Sequence, residues 1–270
     1  MQKRELNGFW ILLGLAVLAY LPTFIWMVDR WTAKDTYYSH GFLIPVISIA
    51  LVWLQKDTFA ALVSKPSNFG WIWFSAGIGV HAISALLRVY FTSGFSFILV
   101  LIGLVLIFLG KKFIKPLLFP ILFLIFMIPL PLVAIANISF RLKIFAAQLA
   151  TGIVNQMGIM AMRDGSVIRT AHAYLIVEDP CSGIRSLIAL IALGALMAYI
   201  SKVSNVKKVI LFISAIPIAV IGNVVRIVIL TLGSEMYGAK LVTDQFHTIM
   251  GMVVFVFAFL ALTIVGRLLE

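Results

Sequence analysis

Cys181, the one cysteine of the chain, lies in Glu178-Asp179-Pro180-Cys181-Ser182-Gly183-Ile184-Arg185-Ser186. Asp179 is a good N-cap and Pro180 suits the first helical position, so the spacing predicts a helix whose first turn carries Cys181. Unpaired N–H groups and the positive end of the helix dipole favour thiolate there, and Arg185, four residues on, brings a cation to the same face. The competing reading of this thiol is a small apolar filler. Arg226, in Asn223-Val224-Val225-Arg226-Ile227, is the second candidate. An arginine within an apolar run costs about 2.5–3.5 kcal/mol on insertion scales, and Asn223 is one turn away to hold it. The competing reading is a side chain that snorkels to the headgroups. His247, in Asp244-Gln245-Phe246-His247-Thr248, is the third, with Asp244 placed to orient its ring; the competing reading is an ordinary interfacial polar residue. A nucleophile, a fixed cation for a developing oxyanion and a proton shuttle are the three parts that acyl transfer requires.

The elements that must position these residues are membrane spans. Apolar residues make up 63% of the 270 and charged ones 11%, with mean hydropathy +1.12. A soluble domain of this length cannot hide so much apolar surface, because much of it must meet water. Runs of about twenty apolar residues are expected of helices that cross hydrocarbon. The chain supplies eight, at 7–28, 40–55, 70–90, 94–110, 116–136, 181–200, 208–230 and 247–266. The first has no convincing small-residue cleavage site and is expected to be retained rather than removed as a signal peptide. The fold class is therefore an all-α polytopic membrane protein of about eight transmembrane helices, a single integral-membrane domain over 1–270.

Lysine and arginine orient the bundle. With both termini in the cytoplasm, the cytoplasmic segments carry Lys3, Arg4, Lys56, Lys65, Lys111, Lys112, Lys115, Lys202, Lys207, Lys208 and Arg267, against Arg30, Lys34, Arg88 and Lys240 in the short outer loops. That bias follows the positive-inside rule and accounts for the net charge of +11 without a nucleic-acid partner. It also sends Cys181, Arg226 and His247 to the outer face at similar depth.

Residues 137–180 are too polar to cross and are expected to form a small outer cap. Ile138, Leu142, Phe145, Leu149 and Ile153 recur at helical spacing, with Arg141, Gln148 and Asn155 on another face, which predicts an amphipathic helix in the interface. Asp164-Gly165 marks a turn, and Val167–Val177 is β-rich enough for a short hairpin. His172 in that hairpin reads as solvated. His40, in Tyr37-Tyr38-Ser39-His40-Gly41, reads as a member of an outer Tyr/His belt or as a lining residue of the same cavity as the three candidates.

Other chemistries lack their signatures. The His, Asp, Glu and Cys residues show no HExxH or CxxC spacing, so no metal is called for. GxxxxGK[ST] and GxSxG are absent as well, and no cofactor is expected. Two non-enzymatic readings remain beside acyl transfer. One is a membrane subunit or transporter for exopolysaccharide or lipid, in which Arg226 and Arg185 bind phosphate or sugar; paired repeats and midplane broken helices would mark it. The other is a scaffold, for which the cysteine would be dispensable.

At these residues the chain resembles the exosortase/archaeosortase family of integral-membrane transpeptidase-like proteins. The resemblance is carried by Tyr38-Ser39-His40-Gly41-Phe42-Leu43, the Ile128-Pro129-Leu130-Pro131 break, Gly165-Ser166-Val167-Ile168, Cys181-Ser182-Gly183-Ile184-Arg185-Ser186, Asn223-Val224-Val225-Arg226 and His247. It implies Cys181 as nucleophile, Arg226 as oxyanion partner and His247 as general acid/base, with Arg185, Asn223, His40 and Ser182 in support. It further implies a thiol protease or transpeptidase of the inner membrane whose site faces the cell exterior or periplasm. Its partners would be secreted proteins ending in a short motif, a transmembrane helix and a basic tail, together with membrane lipid and an acceptor nucleophile.

Overall fold

The computed structural model describes residues 3–34, 36–177, 182–238 and 244–270, with the backbone alone for 3–6 and 244–248. It divides into two compact units, Met1–Pro131 and Leu132–Glu270.

In the first unit the opening apolar run is broken. Helices α1 (Lys3–Ala19) and α2 (Leu21–Thr32) meet at a bend of 59°. Pro22, at the start of α2, has no N–H to return to the preceding turn, so the helix cannot continue straight. After a 3-10 turn (Ser39–Phe42) come α3 (Leu43–Leu54), the short α4 (Lys56–Ala60), α5 (Gly70–Leu86), α6 (Tyr90–Phe108) and α7 (Lys111–Phe123). A polar seam ties the broken run to α5 and α6. Tyr20 Oη lies 2.7 Å from Ser96 Oγ, Thr23 Oγ1 2.6 Å from Ser93 Oγ, and His81 Nδ1 2.8 Å from the same Ser93 oxygen. Hydroxyls buried among apolar helices need such partners, and here each supplies the other's.

The second unit holds α8 (Leu132–Gln156), strands β1 (Met162–Asp164), β2 (Val167–Arg169) and β3 (Tyr174–Ile176), then α9 (Ile184–Ile200), α10 (Asn205–Tyr237) and α11 (Asp244–Leu269). The strands form one antiparallel sheet in the order β1-β2-β3, with Arg163, Ile168 and Leu175 in register across it. Ile168 and Leu175 are buried, and they join Ala146, Ala147, Ala150 and Val154 of α8 and Val224, Ile227 and Leu230 of α10 in one core. The alanines let α8 approach α10 closely, which is how helices pack when lipid leaves little hydrophobic drive between them.

Several expected boundaries move. Among the described residues four helices are long and apolar enough to cross a membrane, or five if the bent α1–α2 pair is one span. The runs at Ser39–Leu54, Gly70–Leu86 and Ile184–Ile200 are shorter; seventeen residues span about 25 Å, a few ångströms under the hydrocarbon thickness. The protein is multi-pass, while the number eight is not established. The run at 116–136 is not one helix: α7 tightens into a 3-10 turn at Leu124–Met127 and ends, and α8 starts afresh at Leu132. Proline at 129 and 131 forces that break, because neither residue has a donor and each disfavours a helical predecessor. The interfacial helix of the cap is thus part of a 25-residue α8 that also meets the length for crossing. Its Ile138, Phe145, Leu149 and Ile153 stripe is exposed and its alanine face is buried, so the bulky residues meet surroundings and the small ones meet protein. The hairpin gains a strand, Met162–Asp164, that alternation alone did not reveal.

Candidate functional site

Helix α9 begins at Ile184 with Gly183 as its N-cap, not at Asp179. Cys181 and the expected cap at 178–180 lie outside the described residues; the described start of α9 does not place Cys181 within its first turn. Gly183 has φ +79°, the left-handed region that glycine enters without penalty. This turn leaves Ser182 buried and directs the chain into α9. Ser182 Oγ accepts a long hydrogen bond from the Ile184 N–H at 3.4 Å, and the Ser186 hydroxyl donates to the Gly183 carbonyl at 2.9 Å. Arg185 is exposed in the first turn of α9.

The centre of the site is one face of α10. Asn223, Arg226, Ile227, Leu230, Thr231 and Ser234 are buried along it, at the three-to-four spacing of one helical face. Asn223 fills the space over Gly183: a Cβ at position 183 would stand 2.6 Å from Asn223 Cγ. One turn further along, Arg226 is 9% exposed and its guanidinium is set against α11. A Cβ on Gly251 would be 3.3 Å from Nη2, 3.4 Å from Cζ and 3.5 Å from Nη1. His247 lies in the first turn of α11, four residues before Gly251 and on the same helical face. Its side chain is outside the described residues. So α10 touches the turn that follows Cys181 with Asn223 and the helix that carries His247 with Arg226.

His40 belongs to the first unit. It occupies the 3-10 turn, half-buried, with its ring stacked near Tyr38 at 5.9 Å between centroids. Its Nε2 is shielded from solvent and has no hydrogen-bond partner among the described residues. Neighbouring groups fasten the turn to the proline break: the Leu130 N–H donates to Tyr38 Oη at 3.2 Å, and the Trp31 indole N–H donates to the Met127 carbonyl at 2.8 Å.

Glu235 was not visible as a partner in the sequence. It reaches from the last turn of α10 to the β2–β3 loop, where it accepts from the His172 backbone N–H at 3.2 Å and meets His172 Nδ1 at 2.7 Å. The Thr170 hydroxyl, foremost, and His172 hold the Glu235 carboxyl below the usual glutamate range. His172 is therefore exposed yet tied down. Helix α10 has 33 residues, about 50 Å, so its final turn projects beyond the hydrocarbon. Gly183 and Gly251 were also missed as site residues. Their signal is faint, since a glycine in an apolar run reads as punctuation until its neighbour across the helix pair is known.

The family model for transmembrane exosortases (Exosortase_EpsH) matches residues 26–264. No curated protein and no solved structure matches the chain.

Proposed function

The chain belongs to the transmembrane exosortase family, and from that premise we propose that it is a cysteine transpeptidase that processes the C-terminal sorting signals of secreted proteins. The observation that carries this reading is the face of α10, where Asn223 packs on Gly183 and Arg226 packs on Gly251. Those contacts support bringing a thiol, a guanidinium and an imidazole to one reaction centre.

In this reading Cys181 loses its proton to His247, and its sulfur attacks the scissile carbonyl. Arg226, buried and held against α11, stabilises the oxyanion of the tetrahedral intermediate, where a fixed cation in a low-dielectric site acts strongly. The intermediate collapses as the C–N bond breaks and His247 returns the proton to the departing amine. A thioester to Cys181 remains. Water, or an amine or hydroxyl acceptor, then attacks it and restores the thiol. Asn223 holds the turn after the nucleophile, Ser182 steadies the same turn, and Arg185 adds positive potential at the start of α9. The lysine and arginine bias supports a site on the outer side of the inner membrane. The substrate's own transmembrane helix would dock in lipid beside the bundle, its basic tail kept in the cytoplasm.

The test replaces Cys181 by Ala in cells that carry a tagged substrate with such a tail. Processing should stop while the variant accumulates to the normal level. Removal of the substrate's C-terminal helix at the usual rate would sink the thiol mechanism. A membrane-impermeant maleimide should label Cys181 from outside the cell, and labelling from the cytoplasmic side alone would reverse the orientation.

A further inference from the structure

Strand β3 has a free edge. The Thr170 N–H donates to the Ala173 carbonyl at 2.8 Å and the Val177 N–H to the Ser166 carbonyl at 2.9 Å, with Ile168 facing Leu175 between them. An antiparallel ladder alternates bonded and unbonded pairs, so Tyr174 and Ile176 turn their N–H and C=O groups away from β2. Among the described residues no strand lies on that side and these four groups have no partner. Both side chains are exposed. The opposite edge differs: on β1 only Arg163 turns its backbone outward, and the charges of Arg163 and Asp164 guard it. An uncharged edge with unpaired groups is a template for an added strand.

The course of β3 points to what is added. The strand packs along α10. The loop that opens it is fixed beside the last turn of that helix, where Glu235 holds His172. Val177, just past its other end, is buried in the core shared with Val224, Ile227 and Leu230. From 172 to 177 an extended chain covers about 17 Å, and from Glu235 back to Arg226 the helix covers about 14 Å. The edge therefore runs from the tip of α10 to the level of Arg226. That level is about 32 Å from the start of α10 at Asn205, close to one hydrocarbon thickness. The layer beside β3 is thus the interface, where a chain leaving a transmembrane helix has backbone groups in need of partners.

We propose that the free edge of β3 is the docking strand for the substrate, pairing with the extended segment that flanks the outer end of the substrate's transmembrane helix. The inference rests on the sorting-signal reading above and adds how the substrate is held. Residues of that segment exchange backbone hydrogen bonds with Tyr174 and Ile176, as in any strand added to a sheet. Such pairing takes its affinity from the main chain, so it accepts varied side chains. It also aligns the segment with α10 and leads it toward Arg226.

Crosslinking and edge variants test this. A photoreactive phenylalanine analogue replaces Tyr174 in a Cys181→Ala chain, co-expressed with a tagged secreted protein that ends in a transmembrane helix and a basic tail. It should crosslink to the segment flanking that helix. Crosslinks to a second copy of this chain, to its own loops alone, or to nothing overturn the proposal. Ile176→Pro removes one outward N–H without touching the β2 ladder, and proline is tolerated at sheet edges. In the otherwise native chain it should slow processing about fivefold, the scale of one lost hydrogen bond, and weaken the crosslink in parallel. Ile176→Thr keeps the N–H and should process faster than Ile176→Pro. Arg163→Pro acts on the other edge and should process normally. Tyr174→Pro repeats the test should Ile176→Pro fail to accumulate, and the crosslink alone decides if both do. Normal processing in either proline variant of β3, or an equal loss in Arg163→Pro, overturns the docking strand. Cys181→Ala separates the two claims: processing in that variant sinks the thiol reading while the crosslink still reports docking, and an inactive variant without the crosslink sinks the docking strand alone.

Discussion

The Arg226 guanidinium stands broadside to Gly251, with Nη2, Cζ and Nη1 all 3.3–3.5 Å from where a side chain would begin. A methyl at position 251 would press on Nη2 and touch the rest of the guanidinium, one helical turn from His247.

Gly251 is accordingly expected to behave as a site residue without any functional group of its own. Gly251→Ala asks the guanidinium to move by a few tenths of an ångström, and substrate processing should fall about two- to threefold. Gly251→Val asks for about 1 Å, a displacement that can cost a hundredfold in rate. Processing of a tagged substrate in cells, normalised to protein level, measures both. Equal activity of the native chain and Gly251→Val would show that the position of Arg226 is irrelevant to the reaction.

Gly183 should be sensitive through backbone and contact together. An L side chain in the left-handed region costs about 1–2 kcal/mol, and a Cβ here also meets Asn223 Cγ at 2.6 Å. Gly183→Ala should therefore lower the apparent melting temperature in detergent by about 4 °C or more. Asn223→Ala removes part of the collision, so the two changes should couple by more than about 0.5 kcal/mol. Simple additivity would mean that Asn223 does not press on this turn.

The link from Glu235 to the β2–β3 loop should depend on pH with a definite sign. The folded-state carboxyl titrates below its unfolded value because Thr170 and His172 hydrogen-bond its charged form. Its contribution is thus fully present above the ordinary glutamate pKa, about 4.3, and is lost as pH falls through the lower folded value. Hydrogen exchange of residues 170–173, corrected for intrinsic rates, should show constant protection from neutral pH down to about 5 and a loss in stronger acid. Glu235→Gln should lower the protection at neutral pH and remove that acid step. A step of the same size in the variant would assign the transition to other groups.

The candidate residues were legible by type. Arg226 in an apolar run stands out because the bilayer penalises its charge, and a lone cysteine beside glycine and arginine stands out by chemistry. Where each helix begins was less legible. Asp179-Pro180 is a sound start signal locally, yet α9 opens at Ile184, because the left-handed turn at Gly183 and the packing of Asn223 over it decide where helical geometry can begin. The run at 116–136 misled for a related reason. Hydropathy sums apolar residues across the proline break and does not register that the backbone there has no donors to continue.

Composition alone determined that the chain lives in a bilayer, since no fold of 270 residues can keep this much apolar surface from water. Residue types named the groups that could do chemistry, and the lysine and arginine bias gave the side on which they are expected. Tertiary structure decided which helices touch. The seam between Asn223 and Gly183 and that between Arg226 and Gly251 depend on two glycines with no side chain. Close approach of that kind is a property of the pair, and neither partner's local sequence contains it.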